Sequence, residues 1–140
     1  MLAYPARFLP EDDGIVVEFP DLPGCLTEAS DWDSALSNAE EALSGWLISV
    51  FHRAIELPPP SSLQGEDVRL IRPFPEVELA YELRRHRREC GRSQEQLAKQ
   101  LGISYQAYQK LENPGTCNAT LKTLRKVSRA LGKRLDIQLV

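Results

Sequence analysis

Ser93-Gln-Glu-Gln-Leu-Ala-Lys-Gln-Leu-Gly-Ile-Ser-Tyr-Gln-Ala-Tyr-Gln-Lys-Leu-Glu112 reads as two short helices joined by a sharp turn. Ser93 and Gln96 make a capping box, in which the hydroxyl accepts from the backbone amide three residues on while the glutamine reaches back, so a helix starts here. Leu97, Ala98 and Leu101 turn inward at helical spacing. Gly102 supplies the turn, Ile103 packs beneath it, and Ser104 caps the second helix. At about 100° per residue, Ala107, Tyr108 and Leu111 share one face of that helix, and Tyr105, Gln106, Gln109 and Lys110 the opposite one. The outer face is polar and rich in donors. Glutamine amides pair with adenine edges in a DNA major groove, lysine pairs with guanine or phosphate, and a helix N-terminus favours phosphate oxygens, so this face suits DNA.

Working outward, Val77, Leu79, Ala80 and Leu83 form the inward set of a preceding helix that begins at Glu76 and ends near Cys90-Gly91. Another short helix follows Glu112. The closing segment Arg134–Val140 alternates apolar and polar residues, which predicts a strand with one buried face. In the first half, Leu2–Phe8, the acidic turn Glu11-Asp12-Asp13-Gly14 and Ile15–Phe19 read as a β-hairpin. Pro20–Gly24 is turn chemistry, and Cys25–Ala29 can run extended after it. Asp31 caps a long helix whose apolar residues Trp32, Leu36, Ala39, Leu43, Trp46, Leu47, Val50, Phe51 and Ala54 recur at helical spacing and must lie on a sheet. Pro58-Pro59-Pro60 stops it. After the polar loop Ser61–Gly65, Asp67–Ile71 is a fourth strand. The fold class is therefore α+β. A βββαβ module spans residues 1–72, a proline break occupies 73–75, and an all-α domain with a short C-terminal strand spans 76–140.

The formal net charge of −3 conceals a sharp division at that break. Residues 1–72 carry 4 Lys+Arg against 13 Asp+Glu, a net −9, and the remainder carries 13 against 7, a net +6. Two surfaces with different partners are implied. The basic half suits phosphates, which would repel the acidic half. Cys25, Cys90 and Cys117 form no CxxC pair, and neither His52 nor His86 stands at ligand spacing from them, so no metal or cofactor is expected. The N-terminus lacks the basic start and apolar run of a signal peptide, and no stretch is long enough to span a bilayer, which makes the cytoplasm the expected compartment.

The 93–112 stretch resembles the helix-turn-helix of the Cro and phage-repressor family, through Ser-Gln-x-x-Leu-Ala-x-x-Leu-Gly-Ile-Ser and a following helix ending in Leu-Glu. The resemblance implies that Gln94 touches backbone phosphate and that Ser104, Tyr105, Gln106, Gln109 and Lys110 face the groove. Arg84, Arg85, Arg87, Arg88, Arg92 and Lys122 add positive charge nearby; Arg88 and Lys122 are the expected phosphate contacts. Tyr108 departs from the family, which usually carries Ile or Val there, and this bears on helix tilt. Nearly the whole chain, including its domain order, resembles the HicB antitoxins of type II toxin-antitoxin modules. The matching pieces are Tyr4-Pro5-Ala6, Gly14–Cys25 with its Phe-Pro-Asp-Leu-Pro-Gly segment, Ala35-x-x-Asn38-Ala39-Glu40-Glu41-Ala42-Leu43, and Leu131-Gly132-Lys133-Arg134-Leu135 near the end. That resemblance implies a reduced RNase H-like fold without nuclease chemistry. It also implies a small basic HicA-like mRNA-cleaving toxin as partner, and repression of the protein's own operon through operator DNA.

Two other functions fit parts of the chain. Asp12, Asp13, Glu18, Asp21 and Asp31 are the carboxylates that an enzyme would use to hold magnesium for phosphoester cleavage, although no Ser-His-Asp or Cys-His set accompanies them and no catalytic residue is assigned. A stand-alone helix-turn-helix repressor, whose first module senses a ligand or dimerises, would carry the same second half. A homodimer or larger homo-oligomer is expected in either case, because one short recognition helix reads few base pairs.

Overall fold

The structure, a computed structural model, describes residues 1–140. By compactness the chain divides into two units, Met1–Glu78 and Leu79–Val140.

In the first unit, strands β1 (Tyr4–Glu11), β2 (Gly14–Glu18), β3 (Leu26–Ala29) and β4 (Val68–Ile71) form one antiparallel sheet in the order β3-β2-β1-β4. Helix α1 (Trp32–His52) packs against it, giving the βββαβ order. Alternation along β1 sends Tyr4, Ala6 and Phe8 inward, with Val17 paired opposite Phe8. Ala35, Ala39, Leu43, Leu47 and Val50 of α1 recur every three or four residues and are buried. On the other face of the sheet Leu26 and Leu70 remain exposed. At the hairpin, Gly14 is required by close approach: a Cβ there would lie 2.2 Å from the Ala29 carbonyl oxygen at the end of β3.

The buried stripe of α1 is narrower than the spacing predicts. Trp32 and Leu36 are 41% and 36% exposed. Trp32 occupies the first helical turn and reaches only the end of the sheet, where its ring meets Phe8 with centroids 5.0 Å apart and takes the Arg69 guanidinium at 5.5 Å. Asp31 caps the helix by accepting from the Ser34 amide at 2.8 Å, which holds its carboxyl below the ordinary value. At the other end α1 stops at His52, ahead of the three prolines. Ala54 takes a left-handed φ of 54°, and the Ile55 amide returns to the Val50 carbonyl at 3.0 Å, closing the last turn. The chain then reaches Pro58, whose carbonyl accepts from the Tyr4 hydroxyl at 2.7 Å. Burial, with Asp21 nearby, pushes that phenol up to about 12.

The Pro73-Phe74-Pro75 segment is tied down. The Phe74 amide donates to the buried Ser44 hydroxyl at 2.8 Å. Just beyond it, Glu78 accepts from the Leu2 amide at 3.0 Å and pairs with Arg72 at 2.8 Å. Helix α2 (Pro75–Glu89) therefore begins within the first unit, with proline at the first helical position, where a missing amide hydrogen leaves nothing unpaired.

In the second unit, α3 (Gln94–Leu101), α4 (Tyr105–Glu112) and α5 (Leu121–Ala130) follow α2. Each is capped by the side chain before it, Ser93, Ser104 and Thr120 respectively. The capping box is complete, with Gln96 N to Ser93 Oγ at 3.0 Å and Ser93 N to Gln96 Oε1 at 2.9 Å. Gly102 adopts φ 71°, the left-handed conformation that turns α3 into α4. Leu83, Leu97, Ala98, Tyr108, Leu111, Val127 and Leu131 make the core, with Leu101 and Ile103 packed against it.

The expected C-terminal strand is absent as an element. Residues 134–140 pair with no other strand, and Ile137, Leu139 and Val140 are exposed. The only sheet belongs to the first unit, so this segment has no edge within its own unit on which to complete backbone hydrogen bonds.

Candidate nucleic-acid interface

The outward arc of α4 is built by the inward one. Tyr108, Leu111 and Glu112 are buried, while Ser104, Tyr105, Gln106, Gln109 and Lys110 are exposed together on the opposite side. Ala107, expected inward, is also exposed. It falls past the edge of the buried arc, so the free face is wider than the apolar pattern predicts. Ser104 uses its hydroxyl oxygen to accept the Ala107 amide at 3.0 Å. Tyr108 is wholly buried and takes the inward position on this helix.

Under this helix lies an ionic network that residue spacing alone did not reveal. Glu112 is 1% exposed and accepts from Arg87 through both oxygens, Nε at 2.6 Å and Nη2 at 3.0 Å. Arg87 also donates to the Arg92 carbonyl at 2.8 Å. Gln94, at the start of α3, donates to Glu112 at 3.1 Å. The pair fixes the end of α4 to α2 by a planar, two-bond contact, and the single Gln94 bond ties it to α3. Glu112 raises the Arg87 guanidinium further, and burial followed by Glu112 pushes the Tyr108 phenol well above its usual value.

The basic residues expected around the site divide by what they already touch. Arg85 pairs with Glu82 at 2.5 Å and Glu89 at 3.0 Å, and Arg92 donates to Gln100 and to the Ala130 carbonyl, so these and Arg87 are engaged within the unit. Arg88 on α2 and Lys122 on α5 are exposed and in no ion pair. Gln94 is half-buried and gives one amide N–H to Glu112. The structure thus groups Ser104, Tyr105, Gln106, Gln109 and Lys110 on one surface, and places Gln94, Arg88 and Lys122 on three other helices.

The acidic residues of the first unit do not converge. Asp31 caps α1, Asp21 accepts the Ser61 amide at 2.9 Å, Glu18 lies 4.0 Å from Arg7, and Asp12 and Asp13 occupy the hairpin turn. No three His, Cys, Asp or Glu side chains are grouped to hold a metal ion.

An acidic α+β unit is thus followed by a capped helix-turn-helix. Residues 4–69 match the family described as HicB_like antitoxin of bacterial toxin-antitoxin system, and residues 83–138 match the helix-turn-helix family. The chain is therefore similar in its first half to HicB-like antitoxins and in its second to helix-turn-helix proteins. It is 29% identical to Antitoxin HicB 2 of Photorhabdus laumondii subsp. laumondii over 97% of this chain and 95% of that protein. A solved HicA3 and HicB3 toxin-antitoxin complex contains a chain 22% identical, with a TM-score of 0.45, covering 53% of this chain and 100% of that one.

If α4 reads bases, Gln106→Ala and Gln109→Ala should each weaken binding to the preferred duplex by about 1–3 kcal/mol and relax base preference. Arg88→Ala and Lys122→Ala should weaken binding to every sequence alike. Fluorescence anisotropy on preferred and scrambled duplexes separates the two behaviours, and unchanged affinity in both glutamine variants would refute the assignment.

Proposed function

We propose that the first unit neutralises a basic, HicA-like mRNA-cleaving toxin by covering it, without catalysis of its own, and that the second represses the protein's own operon, both in the cytoplasm. The observation that carries this reading is the charge division. A −9 module of the HicB-like antitoxin family is joined to a +6 helix-turn-helix, so protein partner and DNA are attracted to different parts of one chain. Complementary charge accelerates encounter with a basic ribonuclease and disfavours acidic competitors. Shape and charge suffice for inhibition.

Residues 1–72 should contain the whole toxin-binding surface. The anchors at Phe74 and Glu78 make a chain ending after Glu78 the better fragment. Co-expressing it with the toxin gene beside its own should restore growth, and raising salt in a pull-down should slow association more than it speeds release. Rescue by the second unit instead, or no adjacent toxin gene, would favour a ligand-sensing repressor. Metal-dependent RNA cleavage by the purified fragment would favour an enzyme.

The protein should also be at least a dimer. Leu135, Ile137 and Leu139 alternate along a segment with no partner in its own unit, and antiparallel pairing of two such segments would complete their hydrogen bonds. Light scattering at micromolar concentration should give twice the protomer mass or more, and the chain ending at Lys133 should give the protomer mass. A monomeric full-length chain would sink this.

A further inference from the structure

We propose that the outward face of α5 is a second DNA-contacting surface, a row of cations that follows the phosphate backbone beyond the bases reached by α4. The proposal rests on the DNA-binding reading of the second unit and adds Arg125, Lys126 and Arg129 to it.

The composition is one-sided. From Asn113 to Leu135 there is no Asp or Glu, while Lys122, Arg125, Lys126, Arg129, Lys133 and Arg134 all fall in this stretch. Helical geometry then aligns them. At about 100° per residue, Lys122, Arg125, Lys126 and Arg129 fall within an arc of roughly 100°, opposite the side on which Val127 and Leu131 enter the core. All four are exposed, and none is in an ion pair. This contrasts with α2, where Arg85 and Arg87 are already held by glutamates. The positive charge left for an external partner is therefore concentrated on α5.

A run of unpaired Lys and Arg at close spacing, with no acid interleaved, fits a ligand of uniformly repeated negative charge. A DNA strand offers one phosphate after another, and each neutralised phosphate releases condensed counterions. The row offers neither apolar anchors nor amides that would discriminate bases, so its contribution is independent of sequence. Base choice is left to Gln106 and Gln109. An acidic protein surface is the competing occupant, but it would present carboxylates at irregular spacing, mixed with apolar groups, and the only exposed large apolar residue beside the row is Leu121 at the start of the helix.

The test compares the full-length protein with an Arg125→Gln, Lys126→Gln, Arg129→Gln triple variant. Glutamine is a good helix former, and thermal melts verify that the fold is kept. Binding is measured from low to high salt on a duplex taken from the DNA upstream of the protein's own gene and on an unrelated duplex of equal length. The expected result is that the slope of log K against log salt becomes shallower by about 3 for each bound protomer, and so by about 5 for a dimer, with affinity for both duplexes falling by the same factor. The ratio between the two duplexes should stay at the parent's value. A slope and affinity equal to the parent's would overturn the proposal while leaving the α4 reading intact, because Gln106→Ala would still collapse the ratio. A triple variant with parental DNA binding but altered oligomeric mass would assign the row to a protein partner. A parent that bound neither duplex would overturn both the row and the helix-turn-helix reading.

Discussion

Glu112→Ala should destabilise the second unit by about 3–5 kcal/mol, the usual cost of leaving one partner of a buried ion pair unpaired. Arg87 would keep its charge, since a guanidinium does not deprotonate in this range, and its side chain is only 11% exposed. Gln94 would lose its acceptor at the same time. Against a total stability of about 5–15 kcal/mol for a small domain, such a loss depopulates the folded helix-turn-helix under mild denaturant. Chemical denaturation followed by circular dichroism would show a lowered midpoint, and DNA affinity should fall with the folded fraction. Replacing both partners, Arg87→Met with Glu112→Leu, should recover much of the loss, because two apolar side chains need no compensation. A single variant as stable as the parent would mean that water reaches the pair in solution.

Leu43→Ala should have a comparable effect on the first unit, about 2–5 kcal/mol, by leaving a cavity between α1 and the sheet. Leu43 lies mid-helix and is fully buried, and its neighbours in the stripe, Ala39 and Leu47, belong to the same rigid helix and cannot move in to fill the space. The functional consequence should be the mirror image of the Glu112 result. Toxin capture in a pull-down should weaken, while the full-length variant should still bind duplex DNA through α4. Loss of DNA binding in Leu43→Ala, with toxin capture retained, would contradict the assignment of the two activities to separate units.

The elements that announced themselves in the sequence did so through local chemistry. Ser93, Ser104 and Asp31 each found the amide that a helix start requires, and Gly102 turned where a left-handed residue was needed. What failed was nonlocal. Alternation in residues 134–140 was a sound sign of extended chain, but alternation carries no information about whether a neighbouring edge exists. Trp32 and Leu36 fitted the helical period and still lie exposed, because periodicity says which side of a helix is apolar and not how far the sheet beneath it extends. Arg87 and Glu112 are separated by 25 positions, so a list of cations near the motif counted Arg87 as available for DNA when the fold had already bound it. The glycine at 14 was legible only as a turn residue. Its stricter requirement, the 2.2 Å approach of the Ala29 carbonyl oxygen, comes from a third strand.

A tail that joins two copies would make operator occupancy a matter of dose. If two copies must join through residues 134–140 before both half-sites are held, the amount of bound DNA rises with the square of the protomer concentration rather than in proportion to it. Halving the protein in the cell would then cut the fraction of promoter bound about fourfold in the dilute limit, by mass action alone. A segment with no role in the fold of its own chain would in this way set how steeply transcription answers to supply.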